Sequence, residues 1–318
     1  MPNRLISILL LWGPISGFPS CALAQANLPE KTELPIPSYS ADLSASVDLS
    51  AGATVELAQK ETELRAALKE EPNSAGLLYA LALALRQEGK PRESLDTYAR
   101  AAQKAKPTAE ELRSVALDYV LLSDYDDAIH WLEIAVQMDT TDTDILYSLG
   151  RCYYSKARYT DALKMYERVL ALNPHHLKAE ENLGLVYEMT NLPDKAEKAF
   201  RDAAAWASKD GPDEWPFMDL GTFLIEHNRA AEALEPLNLA VHIKPGSAAC
   251  HEKLGSAMVA SNDLTDGVRE LERAVQLDPK DPKKHYQLGR ALRQAGQVDR
   301  AKQEFAASQK LYATGSSE

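Results

Sequence analysis

The chain of 318 residues has little cysteine, three residues in all, and little positive charge, 35 lysines and arginines against 47 acidic residues. Its formal net charge is −12. An acidic surface of this size repels nucleic-acid phosphates and anionic lipid headgroups, which argues against either as the main partner. No stretch approaches 18 uncharged apolar residues, so no membrane-spanning helix is expected. No asparagine heads the x-Ser/Thr pattern of a glycosylation acceptor. Catalytic signatures are missing as well. The chain has no glycine-rich phosphate loop, no His-Glu-x-x-His and no Gly-x-Ser-x-Gly. The histidines are scattered, and His175-His176 reads as a pair of solvated turn residues. Asp139, Asp142 and Asp144 lack the glycine and the distal glutamate of a calcium loop and read as helix-capping groups. No catalytic residue, metal site or cofactor is expected.

What is present is a period. Ala82, Ala116, Gly150, Gly184, Gly221, Gly255 and Gly289 follow one another at steps of 34, 34, 34, 37, 34 and 34 residues. A second small-residue column keeps the same step: Ser94, Ala128, Ala162, Ala196, Ala233, Gly267 and Ala301. A third column is large and apolar: Tyr98, Leu132, Tyr166, Phe200, Leu237, Leu271 and Phe305. A fixed period of this length marks a repeat array. Within one period, Leu146, Leu149, Gly150 and Tyr153 share one helical face, and Ala162, Tyr166 and Val169 share another. Each unit therefore reads as two helices crossing where both carry small residues, with the large column filling the space beside the crossing. Pro174, Pro245 and Pro279 end second helices. The units fall at 75–108, 109–142, 143–176, 177–210, 214–247, 248–281 and 282–315. Gly211 to Asp213 interrupts the register and predicts a longer loop or a change of pitch, near Trp206 and Trp215. One leading helix, from Val55 to before Pro72, covers the edge of the first unit.

The start of the chain reads differently. Arg4, the apolar run Leu5 to Trp12 and the small-x-small sequence Ala22-Leu23-Ala24 have the form of a secretory signal peptide over 1–24, with cleavage after Ala24 or Ala26. The alternatives are an uncleaved interfacial anchor and a lipid at Cys21, whose context matches a lipid-attachment box only at Ser20. Residues 25–54, with Pro29, Pro35 and Pro37, read as a disordered spacer. The expected location is exported, periplasmic or secreted, with a mature charge of −13. Cys152 and Cys250 lie three units apart, too far for a bridge, and read as small core residues.

The columns resemble the tetratricopeptide repeat, a 34-residue helix–turn–helix unit. Leu149-Gly150-Arg151-Cys152-Tyr153 and Leu183-Gly184-Leu185-Val186-Tyr187 match its Leu-Gly-x-x-Tyr core, and Leu172-Asn173-Pro174 and Leu277-Asp278-Pro279 match its closing turn. Ser94 and Gly267 depart from the second-helix alanine, and Thr140 and Ser208 from the closing proline. The resemblance implies an all-α fold, a right-handed α-solenoid of seven units with one leading helix. It also implies a concave groove lined by the first helices, where ligands bind. Around that groove, Arg113, Arg151, Lys178 and Asn182 form a candidate cationic pocket for an acidic segment or a C-terminal carboxylate. Tyr147, Tyr154, Met189, Trp215 and Met218 are candidate apolar anchors beside it. The competing reading is a solvated face, with Arg113 and its neighbours paired to Glu110 and Glu181. Neither the carboxylate clamp of chaperone-tail-binding repeats nor the inward asparagine ladder of sugar-transferring repeat enzymes is reproduced. The expected function is a non-catalytic, exported scaffold that binds a protein or peptide, and not nucleic acid. The alternative is a structural oligomer that self-associates through an uncapped last repeat, since only three residues follow the final unit.

Overall fold

The computed structural model describes residues 51–210 and 213–315, with side chains from 55 to 207 and from 213 to 313. The signal peptide, Cys21, most of the spacer and Gly211-Pro212 lie outside the described residues. Among those described, fifteen helices and no strand are found. The first is α1 (Ala51–Glu70). Seven pairs follow: α2 (Ala75–Gln87) with α3 (Pro91–Ala102), α4 (Ala109–Leu121) with α5 (Tyr125–Met138), and α6 (Thr143–Ser155) with α7 (Tyr159–Leu172). Next come α8 (Leu177–Met189) with α9 (Pro193–Asp210), and α10 (Trp215–Glu226) with α11 (Ala230–Ile243). The last are α12 (Ala248–Ala260) with α13 (Leu264–Leu277), and α14 (Pro282–Gln294) with α15 (Val298–Gly315). The chain divides into two compact units between Met165 and Tyr166, within α7.

In unit 1, α1 starts at Ala51, four residues before the expected Val55. Glu61 holds it to the next pair through Lys90 at 2.7 Å, and Lys90 and Arg65 together pull the carboxyl down to about 2. The core is built from Leu78, Leu85, Tyr98, Val115, Trp131, Leu132, Ile145 and Leu146, all buried. Thr108 and Glu111 close a capping box on α4, and Asp142 caps α6 through the amides of Asp144 and Ile145.

In unit 2 the reason for the small columns is measurable. A methyl placed on Gly184 would lie 2.7 Å from the Phe200 ring, on Gly221 2.5 Å from Leu237, and on Gly289 2.7 Å from Phe305. The large column fills the space that a first-helix side chain would need. Gly267 is explained in the same way. Its added methyl would meet the Gly255 carbonyl at 3.0 Å, and one on Gly255 would meet the Gly267 carbonyl at 2.9 Å, so both small residues are needed where α12 crosses α13. Helices α7, α11 and α13 each end two residues before the proline expected to stop them. Pro236, by contrast, sits inside α11.

A further column joins the helices of each pair. Gly89, Ser123, Ala157, Asn191, Asn228, Asn262 and Gly296 all have positive φ, between 55° and 75°. In each turn the next amide reaches back to a first-helix carbonyl, as Arg158 N does to Tyr153 O at 2.8 Å. Asparagine and glycine suit this conformation, while Ser123 and Ala157 carry it as strain.

The packing predicts the effect of adding one methyl. Gly184→Ala destabilises by about 1–3 kcal/mol through overpacking against Phe200. Gly246→Ala, where nothing lies within 4 Å, leaves the urea midpoint nearly unchanged.

Candidate functional site

The nine residues selected from the sequence fall in both units. Unit 1 holds Arg113 on α4, with Tyr147, Arg151 and Tyr154 on α6. Unit 2 holds Lys178, Asn182 and Met189 on α8, with Trp215 and Met218 on α10.

In unit 1, Arg113 is already occupied. Its Nε and one terminal nitrogen each donate to Glu110 at 2.7 Å, a bidentate fork within one helix. Arg151 is placed differently. Its guanidinium carbon lies 5.7 Å from the centre of the Tyr147 ring, and no described carboxylate comes within 4.0 Å of its nitrogens. Tyr154 stands edge-on to Tyr159 at 5.6 Å. Tyr153 belongs to the core and donates its hydroxyl to Glu133 at 2.6 Å.

In unit 2, Lys178, Met189 and Trp215 are exposed, and Asn182 is half-buried and donates to the Lys178 carbonyl at 2.7 Å. Met218 corrects the expectation. It is buried, and its sulfur lies 3.3 Å from the Cys250 thiol, so it is core rather than a surface anchor. Cys152 and Cys250 are both free and buried, and burial pushes the Cys152 thiol up to about 12. The His175-His176 reading also changes. His176 Nδ1 accepts the Ala179 amide at 3.1 Å and caps α8, while His175 stands edge-on to Trp206 at 5.1 Å.

The sequence reading missed the buried carboxyls. In unit 1, Asp118 on α4 has no solvent exposure. Ser94 Oγ lies 2.8 Å from the Ala82 carbonyl and 2.6 Å from Asp118 Oδ2. A hydroxyl has one proton for these two oxygens, so the carboxyl must supply the second. Burial accordingly pushes Asp118 up to about 7. This explains why serine replaces alanine in the second column. In unit 2, Asp219 on α10 is 3% exposed, and neither carboxyl oxygen has a hydrogen-bond partner. Burial raises Glu188 on α8, and the nearby charge of Glu226 on α10 adds to the rise. Glu252 on α12 is raised by burial as well. A signal existed in the register: Asp219 stands in the column of Asn182 and Lys253, where a lone carboxyl breaks the pattern.

A recess of about 270 Å³ opens in unit 2 on a different side of α10, lined by Phe217, Leu220, Leu224 and Pro236 with Arg201 and Glu232. Among the described residues no group of three or more His, Cys, Asp or Glu is placed to hold a metal ion. No described helix is long and apolar enough to cross a membrane.

Three family models match the chain: the tetratricopeptide repeat over 61–110 and again over 258–314, and the anaphase-promoting complex, cyclosome, subunit 3 model over 122–203. The chain is a tetratricopeptide-repeat protein. A curated relative is the BBSome complex member BBS4 of Bos taurus, 28% identical over 158 residues, 48% of this chain and 30% of that protein. The chain spans about a third or less of the curated relatives it matches. Among solved structures, yeast Tom70 has a TM-score of 0.62 at 17% identity and covers 96% of this chain and 65% of its own. A tetratricopeptide-repeat protein from Parabacteroides merdae has a TM-score of 0.60 at 18% identity, covering 80% and 97%. At these identities the likeness is one of fold: an all-α array of tetratricopeptide units, a class of protein-interaction scaffold.

Asp118 makes the stability of this tetratricopeptide array depend on pH. The folded chain holds the Asp118 proton more tightly than the unfolded chain, whose carboxyl has its ordinary value near 3.8. The stabilisation is therefore complete below that value and is lost as pH rises to about 7. Asp118→Asn, which donates to Ser94 without titrating, flattens this fall, a difference of order 2–4 kcal/mol. Urea unfolding at several pH values between 4 and 8 reads it.

Proposed function

We propose that this tetratricopeptide-repeat protein is a non-catalytic, exported scaffold that holds a segment of another protein against the inner positions of its first helices. In unit 1 an acidic side chain or a C-terminal carboxylate of that segment docks on Arg151. The observation that carries this reading is the contrast between two arginines on neighbouring first helices. Arg113 spends its fork on Glu110. Arg151 lies over Tyr147, 5.7 Å from the ring centre, with no described carboxylate in reach. A guanidinium near a ring and without a carboxylate in reach keeps its donors ready for one. Tyr147 and Tyr154, both half-buried, offer apolar surface beside it. Lys178, Asn182, Met189 and Trp215 give unit 2 surface of the same kind. Export is supported by the form of residues 1–26. A second reading, self-association through the last pair, is favoured by Tyr286, Val298 and Tyr312, each 50–51% exposed on α14 and α15. Light scattering at several concentrations reads it.

The test uses the mature chain and a labelled hexapeptide of glutamate and serine with a free C-terminal carboxylate. Arg151→Gln weakens binding about tenfold, the scale of one charge-assisted contact. Arg113→Gln changes it less than threefold. Equal effects of the two substitutions, or no binding by the native chain, contradict the assignment to Arg151. Intact mass of the exported protein places its first residue at Gln25 or Asn27; an unprocessed Met1 contradicts the export reading.

A further inference from the structure

A carboxyl group buried without a donor is costly, and native proteins keep such groups neutral, pair them or use them. Asp219 is neither paired nor solvated. It is 3% exposed, and both Oδ1 and Oδ2 lack any hydrogen-bond partner. Lys253 on α12 is the one cation whose field acts on it appreciably, and it forms no hydrogen bond to it. The neighbouring first helices add carboxyls of the same character. Glu188 on α8 is half-buried, and burial, with the Glu226 carboxyl at the end of α10 adding to it, raises it above the usual carboxylate range. Glu252 on α12 is half-buried. Helix α10 packs against α12 as well as against α9 and α11, so Asp219 and Glu252 lie on adjoining helices of one unit. Two exposed apolar side chains accompany them. Trp215, 43% exposed, is four residues before Asp219 and hence on the same side of α10, and Met189, 38% exposed, follows Glu188.

We infer that the first-helix face of unit 2 is a site for an arginine side chain of a partner protein, with Asp219 as its carboxylate. The inference rests on the scaffold reading above and names the chemistry of the bound segment in this unit. Two vacant oxygens on one carboxylate match the parallel donors of a guanidinium fork. The indole of Trp215 offers the ring face that guanidinium prefers. The chain's formal charge of −12 favours a cationic partner segment over an acidic one. Before binding, burial holds the Asp219 proton on. On binding, the proton leaves to solvent and the carboxylate that remains pairs with the guanidinium. Burial of the ion pair is then compensated by two hydrogen bonds, where the empty site has none.

The experiment uses the mature full-length chain and two peptides, acetyl-Ser-Arg-Ser-Arg-Ser-amide and the same sequence with citrulline for arginine. Citrulline keeps the shape and loses the charge. Calorimetry in phosphate and in Tris buffers reads both affinity and protons released. The native chain binds the arginine peptide at least tenfold more tightly than the citrulline peptide and releases protons on binding. Asp219→Asn abolishes the preference and the proton release while leaving the unfolding midpoint unchanged or higher, since it removes a buried acid. Trp215→Ala, with its unfolding midpoint measured alongside, weakens the arginine peptide severalfold. Equal binding of the two peptides, or an Asp219→Asn chain that binds as the native one does, overturns the inference. If the glutamate peptide binds through Arg151 and the arginine peptide does not bind, this inference fails and the scaffold reading stands. If neither peptide binds, both fail.

Discussion

The structure depends on one close approach, repeated in each pair. Two helices cross where both carry glycine, alanine or serine, and a large side chain from the second helix fills the space a first-helix side chain would need. The 2.5 Å between Leu237 and a methyl imagined on Gly221 shows how little freedom is left. The approach fixes which residues face inward on the first helix, because a helix pinned at one position along its length cannot rotate. The positive-φ turns complete the constraint by fixing how the chain reverses between the helices.

The crossing columns were legible in the sequence because size repeats at a fixed step and leaves a visible trace. The departures became legible only with coordinates. Ser94 looked like a tolerated substitute for alanine; its hydroxyl serves Asp118, 24 residues away. Gly267 looked like a second exception; it matches Gly255 across one crossing. Met218 was chosen for its position on the first helix, but helical spacing cannot show that Cys250 on the following first helix covers it. The turn column was missed because Ser123 and Ala157 carry no sign of positive φ, although the glycines and asparagines at the same step were a usable clue. His176 was read as solvated because a cap is recognised by the backbone it meets, and histidine is not among the usual capping residues.

Charge follows the same pattern. A sequence count finds cations that stand out against a negative protein, and so it directed attention to arginine and lysine. It cannot see which charges are already satisfied. In unit 1, Arg113 is neutralised within its own helix and Arg151 is not. In unit 2, the unsatisfied groups are acids, and the most buried of them, Asp219, has no donor at all. Surface ion pairs such as Lys198 with Asp202 contribute little, about 0–1 kcal/mol each. A buried group lacking its partner is more informative, because its cost persists in the free chain and is relieved only by a proton or a ligand.

The central claim is that the first-helix face of unit 2 keeps a neutral carboxyl in reserve for a cation. Carbon-detected NMR of the mature chain, following the aspartate carboxyl signals through a pH titration, tests it without any ligand. The account predicts that Asp219 keeps its proton after the exposed carboxyls have ionised, and that Asp219→Asn removes that late signal. An Asp219 signal that titrates together with the exposed carboxyls would contradict the claim.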